Sequence, residues 1–304
     1  ANYTNEEPIQ PDITSYDYDA PLSEAGVITS KYLAIRQLLM DHMTLEGRAK
    51  VPPVPAQPKF ISIPDIRLTE AAGLFDNLLK PVHSNQPMNM ESLNQGYGYV
   101  LYRKVLKGGG NGLLKINGLR DYAEIYLNGK RIGILNRMYN QDSLEINAPA
   151  GARLDILVEN LGRINYGHEM IHNRKGIIGE VTLNDNVLTG WENYSLPFKN
   201  TDHIRFKAND RNTDAPVIYK GTFDVKETES TFVDMRNWGK GIVFVNGHNL
   251  GRYWHIGPQQ TLYLPGCWLK KGVNSIVIFE QLQSGKNSIS TIDYPILDQS
   301  EMKK

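Results

Sequence analysis

Apolar positions along the chain follow two different periods. Between Thr29 and His42, Ile35, Leu38, Leu39 and His42 recur at helical spacing, and Thr29 stands ahead of them with a side chain suited to an N-cap. The pattern predicts one helix over 29–43. A single amphipathic helix cannot bury its apolar stripe alone, so it requires a partner. From Tyr97 onward the pattern changes to short β-branched and aromatic runs separated by turn residues. Asn-Gly occurs four times, at 111–112, 117–118, 128–129 and 246–247. Between β-type runs this dipeptide predicts hairpins, because both residues tolerate positive φ. Ile125-Tyr126-Leu127 precedes one such turn and Val243-Phe244-Val245 another.

The chain between these regions is less regular. Pro52, Pro53, Pro55 and Pro58 favour an extended, semi-rigid linker over 51–60. Ile61, Ile63 and Ile66 are spaced for one strand in 60–68. Residues 69–95 carry no clear period.

The two hairpins belong to an internal repeat. YAEIYLNGKRIGIL (122–135) aligns with KGIVFVNGHNLGRY (240–253), an offset of 118. Leu144-Glu145-Ile146 falls on Leu262-Tyr263-Leu264, and Leu157-Val158-Glu159 on Ile278-Phe279-Glu280. Tyr99 to Val105 likewise resembles Val217 to Phe223. A period this long means duplicated domains. The reading is mainly β, with two tandem sandwiches of similar topology over 97–198 and 199–304. They follow a helical segment, 1–45, and a linker, 46–96, that can add a strand to a β-domain.

Composition narrows the function classes. The 304 residues are 40% hydrophobic and 22% charged, enough apolar material for two cores. Lys+Arg and Asp+Glu number 33 each, and this zero net charge argues against a broadly basic nucleic-acid binder. Cys267 stands alone, so there is no intrachain disulfide framework and no cysteine-rich zinc site. No apolar run approaches the ~18 residues of a membrane span.

Candidate chemistry is sparse. No nucleophile elbow, zinc-protease helix, Walker loop or dinucleotide fingerprint is present. Lys107 to Gly112 is glycine-rich but lacks the Lys-Ser/Thr that phosphate binding needs, and is expected to be a hairpin loop. His168 and His172, with Glu169 between them, have a metal-ligand spacing only if helical, and the surrounding glycines argue for a loop. Asp17, Asp19 and Glu24 supply paired carboxylates, more often turn chemistry than catalysis. Tyr16, Tyr18, Tyr166, Trp238, Tyr253, Trp254 and Trp268 are candidates for stacking on sugar rings. Tyr18 and Tyr166 sit in loops. Trp238, Tyr253 and Trp254 fall in or beside the strand pattern, where core packing is the ordinary role.

Three long motifs together resemble one family. TSYDYDAPLSEAG (14–26) with KYLAIRQLL (31–39) resembles the last stretch of the catalytic (β/α)8 barrel of the family 35 glycoside hydrolases, the β-galactosidases. LDILVENLGRINYG (154–167) with KGIIGEVTL (175–183) resembles their first C-terminal β-domain. WGKGIVFVNGHNLGRYWHIGPQQTLYLPGCWLKKGVNSIVIFE (238–280) resembles the second. The resemblance implies two jelly-roll or galactose-binding-like sandwiches preceded by the last loop and helix of a barrel. It implies retaining hydrolysis of terminal β-galactosides, with both catalytic glutamates on barrel strands ahead of Ala1. This chain alone is then expected to be inactive, to need no cofactor and to partner an N-terminal catalytic barrel and a β-galactoside glycan; the alternatives on the same fold are a carbohydrate-binding module pair, or structural or interaction domains without sugar binding. Residue by residue, Tyr18 matches a tyrosine that closes the galactose pocket, and Tyr166 a loop reaching toward the same mouth. Arg163 is expected in an inter-domain ion pair or hydrogen-bond fork. Arg252 and Trp254 are expected as structural residues, with the arginine fixed beside an aromatic in the sandwich core or an interface. Family habit implies export to periplasm, cell surface or lysosome. Asn2-Tyr3-Thr4 and Asn193-Tyr194-Ser195 are glycosylation sequons that count only in a eukaryotic secretory host.

Overall fold

The computed structural model describes residues 20–164, 167–210, 213–283 and 285–297. Strands dominate, and they form two compact units. One is built on Gly73–Arg205. The other is built on the chain after Pro216, with strands drawn from residues 63–72.

In the first unit a six-stranded sheet runs in the order Val82–Ser84, Trp191–Leu196, Tyr99–Leu106, Ala152–Glu159, Tyr122–Leu127, Lys130–Asn136. It faces a four-stranded sheet in the order Asn186–Val187, Val181–Leu183, Gly110–Ile116, Ser143–Ala148. Alternation along the strands builds the core: Val100, Tyr102, Ile125, Leu154, Ile156 and Val158 meet Leu114, Ile116, Ile146 and Val181. The larger sheet is covered on its second face as well. Phe75 packs edge-on against Tyr126, and Phe198 against Tyr99. Hence Tyr122–Leu127 is buried throughout and lacks the polar alternation of a half-exposed strand.

The second unit repeats this plan. Its six-stranded sheet runs Lys207–Ala208, Glu70–Gly73, Val217–Val225, Gly272–Glu280, Lys240–Val245, His248–Trp254. The smaller sheet runs Ile63–Arg67, Ser288–Ile292, Thr231–Asp234, Thr261–Leu264. Tyr219, Val233, Val243, Tyr253, Leu264 and Ile278 are among its core residues. The last four strands of the two large sheets correspond one to one with the sequence repeat. The hairpins match in detail: each has a bulge, between Ile125 and Tyr126 in one and Val243 and Phe244 in the other. Asn128 and Asn246 both lie at φ 50°, followed by glycines at φ 85° and 84°, as a type I′ turn demands.

Two other Asn-Gly readings fare differently. Gly118 turns at φ 71°, whereas Asn111-Gly112 lies inside strand Gly110–Ile116 and is not a turn. The turn falls four residues earlier, at Lys107-Gly108, where the Gly109 amide donates to Leu106 O at 2.9 Å.

The predicted helix spans Ser30–Asp41, and Thr29 caps it by accepting from the Tyr32 amide. A short second helix, Leu45–Ala49, is capped in the same way by Thr44 and was not anticipated. Gln57 ties the proline-rich segment to the first helix, its amide accepting from Ile28 N and donating to Ile28 O, both at 2.9 Å. No residue of Ser30–Asp41 is buried.

Candidate functional site

The most heavily built region of the first unit is the loop that leaves strand Ala152–Glu159 and returns at Gly176. It is the loop that carries Tyr166. A buried ion cluster lies at its root. Asp121 is fully buried, and its carboxylate accepts from Lys175 Nζ at 2.6 Å, Arg137 Nη1 at 3.0 Å and the Leu161 amide at 3.0 Å. Lys175 is equally inaccessible, and burial pushes its ammonium below the ordinary lysine range against the pull of Asp121. Two cations on one buried carboxylate, with a backbone donor completing the set, fix both ends of the loop at once.

Further ties hold the loop at residues 163, 173 and 175. The Arg163 guanidinium donates to Gly96 O at 2.8 Å and Asn173 O at 2.9 Å, and pairs with Glu91 at 2.6 Å. Glu91 also accepts from the Lys175 amide at 3.1 Å. Beneath the returning chain, the Tyr102 hydroxyl donates to Met88 O and accepts from Ile177 N, and burial raises its pKa. Gly176 is required there: φ is +90°, and a Cβ would stand 2.4 Å from that hydroxyl. The turn His168–His172 crowns the loop and exposes Met170 and Ile171, the latter at 83%. His168 Nε2 lies 3.1 Å from the carboxylate of its neighbour Glu169.

Several anticipated residues can now be located. Tyr16, Asp17, Tyr18, Asp19 and Tyr166 lie outside the described residues. Glu24 is exposed in a turn closed by the Gly26 amide on Ser23 O. Arg163 makes the expected fork and ion pair, but with partners of its own unit. Trp238 and Tyr253 are buried in an edge-to-face cluster with Tyr219. Trp254 is half-buried, with the Lys240 ammonium 4.3 Å from its ring centroid. The expectation for Arg252 needs correction: it is exposed, because Tyr253 takes the inward position of the strand and its neighbour must point out. Asn193 is buried and its side chain is committed to Val82 O, Ser84 Oγ and Met88 N, so that sequon is closed in the folded chain.

Family models match three consecutive stretches. Residues 1–42 match "Glycosyl hydrolases family 35", 87–197 "Beta-galactosidase, first all-beta domain", and 216–274 "Beta-galactosidase, galactose-binding domain". The chain belongs to glycosyl hydrolase family 35. It corresponds to the C-terminal portion of that family's proteins. A β-galactosidase of Xanthomonas manihotis is 41% identical over 84% of this chain and 42% of its own length. The human β-galactosidase-1-like protein 3 is 40% identical over 94% of this chain and 45% of its own. β-Galactosidase 1 of Dictyostelium discoideum is 35% identical over 89% and 45%. The chain thus spans under half the length of these relatives.

Sequence reasoning missed the ion cluster of this family 35 chain. Lys175 opens the motif KGIIGEVTL and Asp121 precedes a strand, but each looks like an ordinary surface charge when read alone. Only the return of the loop brings residues 121, 137 and 175 together. The one available signal was the glycine following Lys175, which marks a close backbone approach.

Proposed function

We propose that this chain is the non-catalytic C-terminal part of a retaining β-galactosidase, hydrolysing terminal β-galactosides with glutamates held in a (β/α)8 barrel outside these 304 residues. The helix Ser30–Asp41 carries the reading. On one face Ile35, Leu38 and Leu39 are 42 to 60% exposed, and no residue of the helix is buried. An exposed apolar stripe marks an interaction surface, and the match of residues 1–42 to the hydrolase model supports a barrel as the cover.

On this reading the sandwiches brace the barrel, and the anchored loop Asn160–Arg174 borders the active-site entrance. Tyr18 and Tyr166 contact the sugar, Tyr18 closing the galactose pocket and Tyr166 edging the leaving-group side. A phenol there donates to one sugar hydroxyl while its ring covers an apolar face. In the assembled enzyme, Tyr18→Phe lowers kcat/KM by about tenfold, the worth of one such bond. Steady-state kinetics on a chromogenic β-galactoside reads this out.

The association itself is tested by co-expressing this chain with the catalytic barrel of a family 35 relative. The two co-purify, and Leu38→Asp with Leu39→Asp abolishes the complex while circular dichroism of the chain is unchanged. A barrel that ignores the wild-type chain refutes the reading.

A further inference from the structure

A cleft of about 730 Å³ opens on the first sandwich where strands Val82–Ser84 and Trp191–Leu196 meet Tyr99–Leu106. Its size suits one or two sugar-sized units. Arg103, Lys104, Lys107 and Glu192 are its charged walls; Arg103 is matched by Asp155, and the two lysines outnumber Glu192 by one charge, in a chain whose net charge is zero. The carboxylates nearby are already engaged. Asp155 forms a fork with Arg103 at 2.6 and 3.2 Å and also takes Arg153 at 2.9 Å. Glu192 accepts the Tyr194 hydroxyl at 2.7 Å.

Among the described residues neither lysine is in an ion pair, and Glu192 offsets only one of their two charges. Lys104 is held in place by donating to Thr189 O, which leaves two of its ammonium protons to point elsewhere. Burial and the neighbouring charge of Lys107 both push its pKa down. Two like charges on a concave surface, one of them held in place, favour a bound anion, which relieves their repulsion. Asn85 and Thr189 add polar groups to the lining.

We propose that this cleft binds an anionic saccharide, a sugar carrying a sulfate ester or a carboxylate, with the charge on Lys104 and Lys107. The saccharide half rests on the reading of the chain as part of a glycan-degrading enzyme; the anion half stands on the cleft alone. Such a site would hold an acidic branch of a glycan on the first sandwich.

The 304-residue chain is titrated calorimetrically with galactose 6-sulfate, galacturonate, galactose and sodium sulfate. The acidic sugars bind, neutral galactose does not, and inorganic sulfate binds more weakly than galactose 6-sulfate. Lys104→Met with Lys107→Met weakens the acidic sugars by about tenfold or more, with the melting temperature unchanged. Raising the salt concentration weakens them too. Sulfate binding as tightly as its sugar ester overturns the saccharide half and leaves the anion half standing. Galactose binding as tightly as the acidic sugars, or no binding by any of the four, overturns the proposal. Neither result bears on association with a barrel, because no step of the titration needs turnover.

Discussion

Asp121, Lys175 and Arg137 form a group whose members are worth more together than apart. Replacing one member of a buried pair leaves the other charged and unpaired, which costs about 3–5 kcal/mol. Asp121→Asn therefore destabilises the first sandwich by that order, since Lys175 and Arg137 both lose their counter-charge. Arg163→Ala removes a partly exposed pair and costs less, about 1 kcal/mol. Chemical denaturation followed by tryptophan fluorescence separates the two variants. Glu280 is the second sandwich's counterpart in burial, but with a different kind of partner. Its carboxylate accepts from the amides of Gly239, Lys240, Leu282 and Gln283 and from the Tyr253 hydroxyl. A carboxylate surrounded by donors is satisfied without a cation. The sequence marked Glu159 and Glu280 as repeat-equivalent positions, but it gave no hint that either was buried, because a glutamate ending a strand ordinarily reaches water.

The hairpins explain why so much of the second half was legible. A type I′ turn needs positive φ at two residues, few residues accept that, and so Asn-Gly announces it in the sequence. Asn128 and Asn246 do more than turn. Each side-chain oxygen accepts from the amide of an adjacent strand, Arg153 at 2.9 Å and Ser275 at 3.0 Å. Asn111-Gly112 shows the limit of the signal: strand pairing across 110–115 with 143–148 takes those residues into the sheet. The short strands Ile63–Arg67, Glu70–Gly73 and Val82–Ser84 were partly or wholly illegible, because each lies at or near a sheet edge and takes its partner from more than 100 residues away. Close strand packing makes its own prediction. A Cβ on Gly241 would stand 1.7 Å from Phe279 O, against backbone that cannot swing aside. Gly241→Ala is expected to destabilise the second sandwich by about 2 kcal/mol or more through forced overpacking, whereas Gly247→Ala, with no atom near, carries only the cost of its φ of +84°. Thermal melts of the two variants rank them.

At the scale of the whole molecule, two duplicated sandwiches account for most of the chain, and one helix belongs to neither fold pattern. The sandwiches bury their own cores. No residue of the helix is fully buried, yet it is capped, and Ile28 just ahead of the cap is tied to the proline-rich segment through Gln57. A segment so well formed and so little covered fits a protein whose relatives extend over twice the matched length. Identity of 35 to 41% over most of the chain places it among family 35 proteins. The site residues named from motifs, Tyr18 and Tyr166, were accessible to sequence reasoning through the family's wording alone, since no periodicity or charge pattern distinguishes them from other loop tyrosines. The anchoring cluster behind Tyr166's loop was accessible only through the fold.

The most direct measurement is turnover of a chromogenic β-galactoside by the purified 34.3 kDa chain, alone and after addition of a family 35 catalytic barrel. The account predicts no hydrolysis by the chain alone and hydrolysis by the complex. Hydrolysis by the 34.3 kDa species alone would contradict it and direct attention to Asp17, Asp19 and Glu24 as its carboxylates.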